Sequence, residues 1–150
     1  MAKGFISIKF SEQSLAKLRA NLMLIDIKTK QGAKKALKTT ATNIMAQSQS
    51  EVPRETETLL STAYIEQPKV SGDIVSLNLG YASSDKDKRN PLTGKMASEY
   101  ALVVHETPPS EAKHPYGKWK YLSDPTTYHK NELFSEFNME VRNVVAQGAK

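Results

Sequence analysis

From Ser11 to Pro53 one pattern dominates the chain. Apolar residues return every three or four positions through Leu15, Leu18, Leu22 and Ile25. The pattern resumes through Ala33, Ala36, Leu37, Thr40, Ile44 and Met45 and stops before Pro53. That spacing lines one face of an α-helix, and Ser11 supplies a suitable N-cap. The pattern loosens around Ile27 to Gly32, which predicts two helical segments with a kink or short break near Lys28 to Gly32. The fold must therefore be organised around a long N-terminal helical element.

The flanking segments predict sheet. Phe5 to Phe10 alternate, with Ile6, Ile8 and Phe10 on one side, the period of a half-buried strand. Leu59 to Glu66 and Ile74 to Tyr81 are short runs of β-forming residues. The spacer between them carries Pro68, Gly72 and Asp73, the residues of a reversing connection, so a β-hairpin is expected. Tyr100-Ala101-Leu102-Val103-Val104 is an apolar run too brief for a buried helix and rich in β-branched and aromatic residues, which predicts a strand ending at His105. Asp124-Pro125 opens a last helix whose stripe of Leu133, Phe134, Phe137, Val141, Val144 and Val145 is expected to pack on the sheet, with Glu132, Glu136 and Glu140 on another face.

These elements make an α+β fold. A small antiparallel sheet of about four strands packs against the long, broken N-terminal helix and a C-terminal helix. Residues 1–150 fit one domain, large enough to bury roughly 68–70% of the surface of its unfolded chain. Two connections, at about 83–98 and 107–118, are expected to be mobile loops, the first long enough to have a role in function or assembly.

Composition excludes several function classes. The chain has no cysteine, so thiolate metal sites and disulfides are absent and the composition suits a reducing compartment. The N-terminal residues lack the apolar run of a signal peptide or membrane span, and a soluble protein is expected. His105, His114 and His129 are the only histidines and no two have the spacing that places two ligands on one helix turn. No glycine-rich phosphate loop occurs among the seven glycines. No metal, cofactor or nucleotide is expected.

Three features invite chemistry, and each has a plainer reading. His105 beside Glu106 has the composition of a general base, but neighbours on a strand point to opposite faces. Trp119 and Tyr121 alternating with Lys118 and Lys120 have the makings of a base-stacking surface; the alternative is that Trp119 and Leu122 anchor the loop while the lysines reach outward. The net charge of +5 concentrates in Lys28, Lys30, Lys34, Lys35 and Lys38 and in Lys86, Lys88, Arg89 and Lys95, which suit an acidic partner or an ordinary solvated surface. No catalytic residue is assigned.

Taken together, three segments resemble the minor head-tail connector family, the neck or tail-completion proteins of long-tailed double-stranded DNA bacteriophages. They are VPRETETLLST, with Val52, Pro53, Thr56, Leu59 and Thr62 in matching places, then Tyr100, Ala101, Val104, His105 and Glu106, and finally Lys120, Tyr121, Leu122 and Pro125. The match runs from about residue 5 to 145. It departs at Glu57, where the family favours glycine and where a residue with a side chain tolerates positive φ poorly.

The resemblance implies a non-enzymatic virion protein made in the bacterial cytoplasm and located in the phage neck. It implies a homo-oligomeric ring between portal and tail, with neighbouring connector and tail proteins as partners and with transient, non-specific contact with the genomic DNA that passes through. No membrane is involved. A ring needs heterologous subunit contacts, for which the loops are suitable, and Arg89, Lys95, Lys113, His114 and Tyr116 are the expected interface residues. Lys34, Lys35 and Lys38 are the expected contacts to the DNA channel or to an acidic neighbour. A tail terminator or stopper of the same neck, a small basic DNA-binding protein and a small hydrolase using His105 and Glu106 are the alternatives.

Overall fold

The computed structural model describes residues 12–108, 111 and 117–148. The expected first strand, Phe5 to Phe10, lies outside them. Helix α1 runs from Glu12 to Glu51 without interruption, about 60 Å of helix at 1.5 Å per residue. The expected break at Lys28 to Gly32 does not occur. Gly32 serves instead as a contact point for the C-terminal helix, since a Cβ there would lie 3.1 Å from Cβ of Glu140. The loosened pattern reflects a change in what the helix faces. Among the described residues its buried positions are Gly32, Ala36, Thr40, Ala41, Ile44, Met45 and Ser48, all in the C-terminal half, whereas residues 19–27 are exposed.

Four three-residue strands follow a short 3-10 turn at Leu60–Thr62: β1 (Ala63–Ile65), β2 (Lys69–Ser71), β3 (Ile74–Ser76) and β4 (Leu79–Tyr81). The α+β expectation of a small antiparallel sheet of four strands between a long N-terminal and a C-terminal helix describes this arrangement. The strands form one interrupted hairpin, with β1 paired to β4 and β2 to β3. The chain reverses at Gly72-Asp73, and Gly72 has φ +59° at the first position of a two-residue loop, where such turns favour glycine. Pro68, which has no N–H to pair, lies in the gap between the two ladders, and the Glu66 N–H bond to the Asn78 carbonyl, 2.8 Å, bridges it.

Residues 97–106 depart from expectation. They form helix α2 (Ala97–Glu106) and not a strand. The inward positions are Ala97, Tyr100, Ala101 and Val104, a spacing of three and four, while Leu102 and Val103 face outward. A five-residue apolar run fits either period, and here the N-terminal cap decides. Glu99 turns back so that its carboxylate accepts the Met96 N–H, and Asp87 accepts the Ser98 N–H at 3.0 Å.

Helix α3 spans Ser123–Gly148 and lies antiparallel to α1, not across the sheet. Asn43 bonds Glu132, and Lys35 pairs with Glu140 at 2.7 Å, so position falls along α1 as it rises along α3. Leu133, Phe137, Val141 and Val144 turn toward α1 as half-buried residues, but Phe134 and Val145 of the expected stripe are exposed. Glu132, Glu136 and Glu140 flank this contact. The register brings the end of α3 level with about residue 27 of α1, so the first turns of α1 extend beyond its partner.

Candidate functional site

The segments that carry the family resemblance are far apart in sequence and adjacent in space. Around Tyr121 the chain gathers Val52 at the end of α1, Leu59 and Tyr81 at the sheet, and Ala97, Ala101 and Val104 of α2. Tyr121 is 2% exposed and donates its hydroxyl to the Ala101 carbonyl at 3.0 Å. Its ring meets Tyr81 edge-on at 5.3 Å between centroids and His105 edge-on at 5.0 Å. Burial, reinforced by the neighbouring Tyr81 and Tyr100, pushes its phenol far above the ordinary tyrosine value. The Tyr81 hydroxyl reaches on to Ser48 of α1 at 2.8 Å, so one run of aromatic contacts ties all three helices and the sheet together.

The strap 117–122 closes this junction. Gly117 has φ +93° and lies so close to Pro53 that only hydrogen fits in place of a side chain. The Lys118 N–H bonds the Glu51 carbonyl at 2.7 Å, and its ammonium lies 3.1 Å from Glu51 and 3.4 Å from Asp124. The Lys120 N–H bonds the His105 carbonyl at 2.7 Å. The strap thus fastens the ends of α1 and α2 to the start of α3. Tyr121, not Trp119, is the buried anchor. Trp119 is half-buried, with the Lys120 ammonium 4.7 Å above its ring.

His105 and Glu106 do meet, contrary to the strand-based expectation, because neighbours on a helix are only about 100° apart. Nδ1 of His105 lies 2.6 Å from the Glu106 carboxylate, and Nε2 accepts the Ser123 N–H at 3.3 Å. Both ring nitrogens are therefore occupied, Nδ1 within α2 and Nε2 in joining α2 to the start of α3. His129 is used similarly, between Glu132 at 2.7 Å and Gln47 of α1 at 2.9 Å. Each imidazole is a cross-brace between elements. Among the described residues no group of three or more His, Asp or Glu converges as a metal site would.

Beside the junction opens a cleft of about 200 Å³ lined by Pro53, Thr58, Leu59, Tyr100 and Val104, with Glu55, Glu57 and Lys95 at its mouth. Glu57 has φ +57°, so this turn adopts the left-handed conformation that a glycine would hold without strain. One wall is the turn 89–96. There the Asn90 N–H bonds the Lys95 carbonyl at 2.8 Å, the Asn90 side chain accepts the Leu92 N–H at 2.9 Å, and the Arg89 guanidinium folds back onto the Gly94 carbonyl. Arg89 and Lys95 are thereby brought together, Lys95 facing the cleft. Lys113, His114 and Tyr116 lie outside the described residues. Of the α1 lysines, Lys35 is paired to Glu140, whereas Lys34 and Lys38 have no ion-pair partner among the described residues.

The sequence reading missed Gly117 as a contact residue, and missed the cleft altogether. The signal for the first was present in a glycine just before the aromatic strap. The cleft is made by side chains from three segments, and no local pattern announces it. No family model matches the chain, and no curated protein or solved structure matches it either.

Proposed function

We propose that the chain is a structural subunit of a bacteriophage neck, acting as one member of a homo-oligomeric ring that joins the head-completion complex to the tail and lets DNA pass. The observation that carries this reading is the convergence of the VPRETETLLST, YALVVHE and KYLSDP segments on one junction around Tyr121. A resemblance made of three short motifs has physical coherence when the motifs build one structural unit. The left-handed turn at Glu57 adds support, because it has the backbone shape that the family's glycine implies.

Two further observations favour a shape-based role over catalysis. The ring nitrogens of His105 and His129 are committed to bonds within the fold. Lys34 and Lys38, one helix turn apart on the exposed side of α1, offer positive charge without an internal partner among the described residues, which suits passing contact with a phosphate backbone. Negative-stain electron microscopy of the purified protein at high concentration tests the reading. Discrete annuli are the expected result, and a protein that stays monomeric and is absent from particles overturns it.

A further inference from the structure

The free end of α1 has a composition that a solvent-exposed helix does not need. Leu22, Met23, Leu24, Ile25 and Ile27 are 57%, 68%, 49%, 37% and 51% exposed. At 100° per residue, Leu22 to Ile25 occupy all sides of a single turn. A helix apolar all round belongs in a buried setting, yet this one projects past the end of α3. The fifteen residues from Glu12 to Asp26 form a rod about 22 Å long and 10 Å wide, with a lateral surface of about 700 Å², close to one partner's share of a stable protein interface.

A surface of that size suits contact with a second protein. The cleft bounded by Pro53, Leu59, Tyr100 and Val104 is apolar, and at about 200 Å³ it is smaller than the pockets that hold drug-sized ligands. Its size suits an inserted side chain. At its mouth Glu55 and Glu57 outnumber Lys95, whereas the projecting segment carries Lys17 and Arg19 against Glu12 and Asp26, with Lys28 just beyond. The four charges of Glu12–Asp26 cancel, so no like-charge repulsion opposes the contact.

Within one chain the two surfaces cannot meet. The cleft begins two residues beyond the C-terminal end of α1, about 39 Å along an unbroken helix from Ile25. We propose that the projecting end of α1 docks across the Tyr100 cleft of a second copy of this chain, with Met23 or a neighbouring apolar side chain entering it and the rod covering exposed Leu92. Because the two patches differ, a docked pair keeps one free tip and one free cleft, and the contact repeats head to tail. This inference rests on the ring reading above, since it identifies the subunit contact of that ring.

The absence of cysteine makes introduced thiols unique. Met23→Cys and Thr93→Cys, both at exposed positions, are oxidised separately and as a mixture. The expected result is a mixed disulfide dimer well in excess of either homodimer. The double variant Leu22→Glu, Leu24→Glu should keep its helical circular dichroism and lose assembly, with the apparent dissociation constant raised about a hundredfold or more.

A predominant Met23→Cys homodimer would mean a symmetric tip-to-tip contact and would overturn the inference. So would annuli that form normally from the double-glutamate variant, although the ring reading would then survive. Open chains that carry the mixed cross-link, with no annuli, would uphold the contact and sink the ring. Cleavage of the tip by protease only after removal of residues 1–10 would assign the tip to the chain's own N-terminal segment and overturn the inference.

Discussion

The Cα of Gly117 rests against the backbone of Pro53 so closely that a β-carbon on it would overlap the proline Cα and lie 2.5 Å from its nitrogen. This contact seals the strap to the end of α1. Gly117→Ala should therefore be among the most disruptive small substitutions in the chain. It adds an overlap with rigid backbone to the cost of a left-handed residue, together about 2–5 kcal/mol. Urea denaturation checks it, and a loss below about 0.5 kcal/mol, the range of an ordinary surface change, would mean that the strap does not sit on Pro53.

Glu57 makes the opposite case. Its φ of +57° strains a residue with a β-carbon, and glycine relieves that strain while adding freedom to the unfolded chain. Glu57→Gly is expected to raise stability by up to about 1 kcal/mol, and Glu57→Val to lower it by about 1–2 kcal/mol. Thermal melts of the pair, compared with wild type, should bracket it. The reverse order would rule out the left-handed turn.

Thr40 is buried in the α1 core, and its hydroxyl has no hydrogen-bond partner among the described residues. Replacing that hydroxyl with a methyl group of similar shape removes an uncompensated polar group, so Thr40→Val should stabilise by about 1 kcal/mol. By contrast, Tyr121→Phe should cost about 1 kcal/mol because it leaves the Ala101 carbonyl without its donor. Chemical denaturation of both variants gives opposite signs if these surroundings are right.

Acid should loosen the molecule at identifiable points. The hydrogen bond from His129 holds Glu132 below its ordinary value, and the Ser98 hydroxyl does the same for Asp87. A carboxylate whose folded-state pKa is depressed contributes stability that is fully present above its unfolded pKa and is lost as pH falls through the folded value. Stability should hold from neutrality to about pH 5 and decline below about pH 4. At the alkaline end, Lys35 is raised by its hydrogen bond to Glu140, so its contribution persists below the unfolded lysine value and fades as pH rises through the folded one. Denaturation midpoints measured from pH 2.5 to 7 test the acid limb, and a flat profile refutes it. In Ser98→Ala the decline should be shallower.

The parts of the fold legible in the sequence were those with long, repeated patterns. The α1 and α3 stripes give both long helices, and Gly72-Asp73 gives the hairpin reversal. The Tyr100 run misled because five consecutive apolar residues carry no period, and what makes them helical is a remote cap from Asp87 and a core on one side only. That error propagated to His105 and Glu106, whose side chains touch on a helix and would have diverged on a strand. The Gly32 region misled differently. A glycine that reads as a break is there to admit Glu140, a reason visible only once α3 is in position. The site residues followed the same rule: Tyr121 stands out within its motif, whereas the cleft needs three segments at once.

An unbroken α1 also has a mechanical consequence. A helix about 60 Å long, held by the Tyr121 junction and α3 over its C-terminal half and projecting past α3 at its other end, behaves as a lever. A tilt of about 5° at the junction sweeps the tip through about 5 Å, on the scale of one helical turn. Under the head-to-tail contact proposed above, small adjustments in the strap at Gly117 and Lys118 would set the angle between successive copies, and with it the curvature and closing diameter of the array.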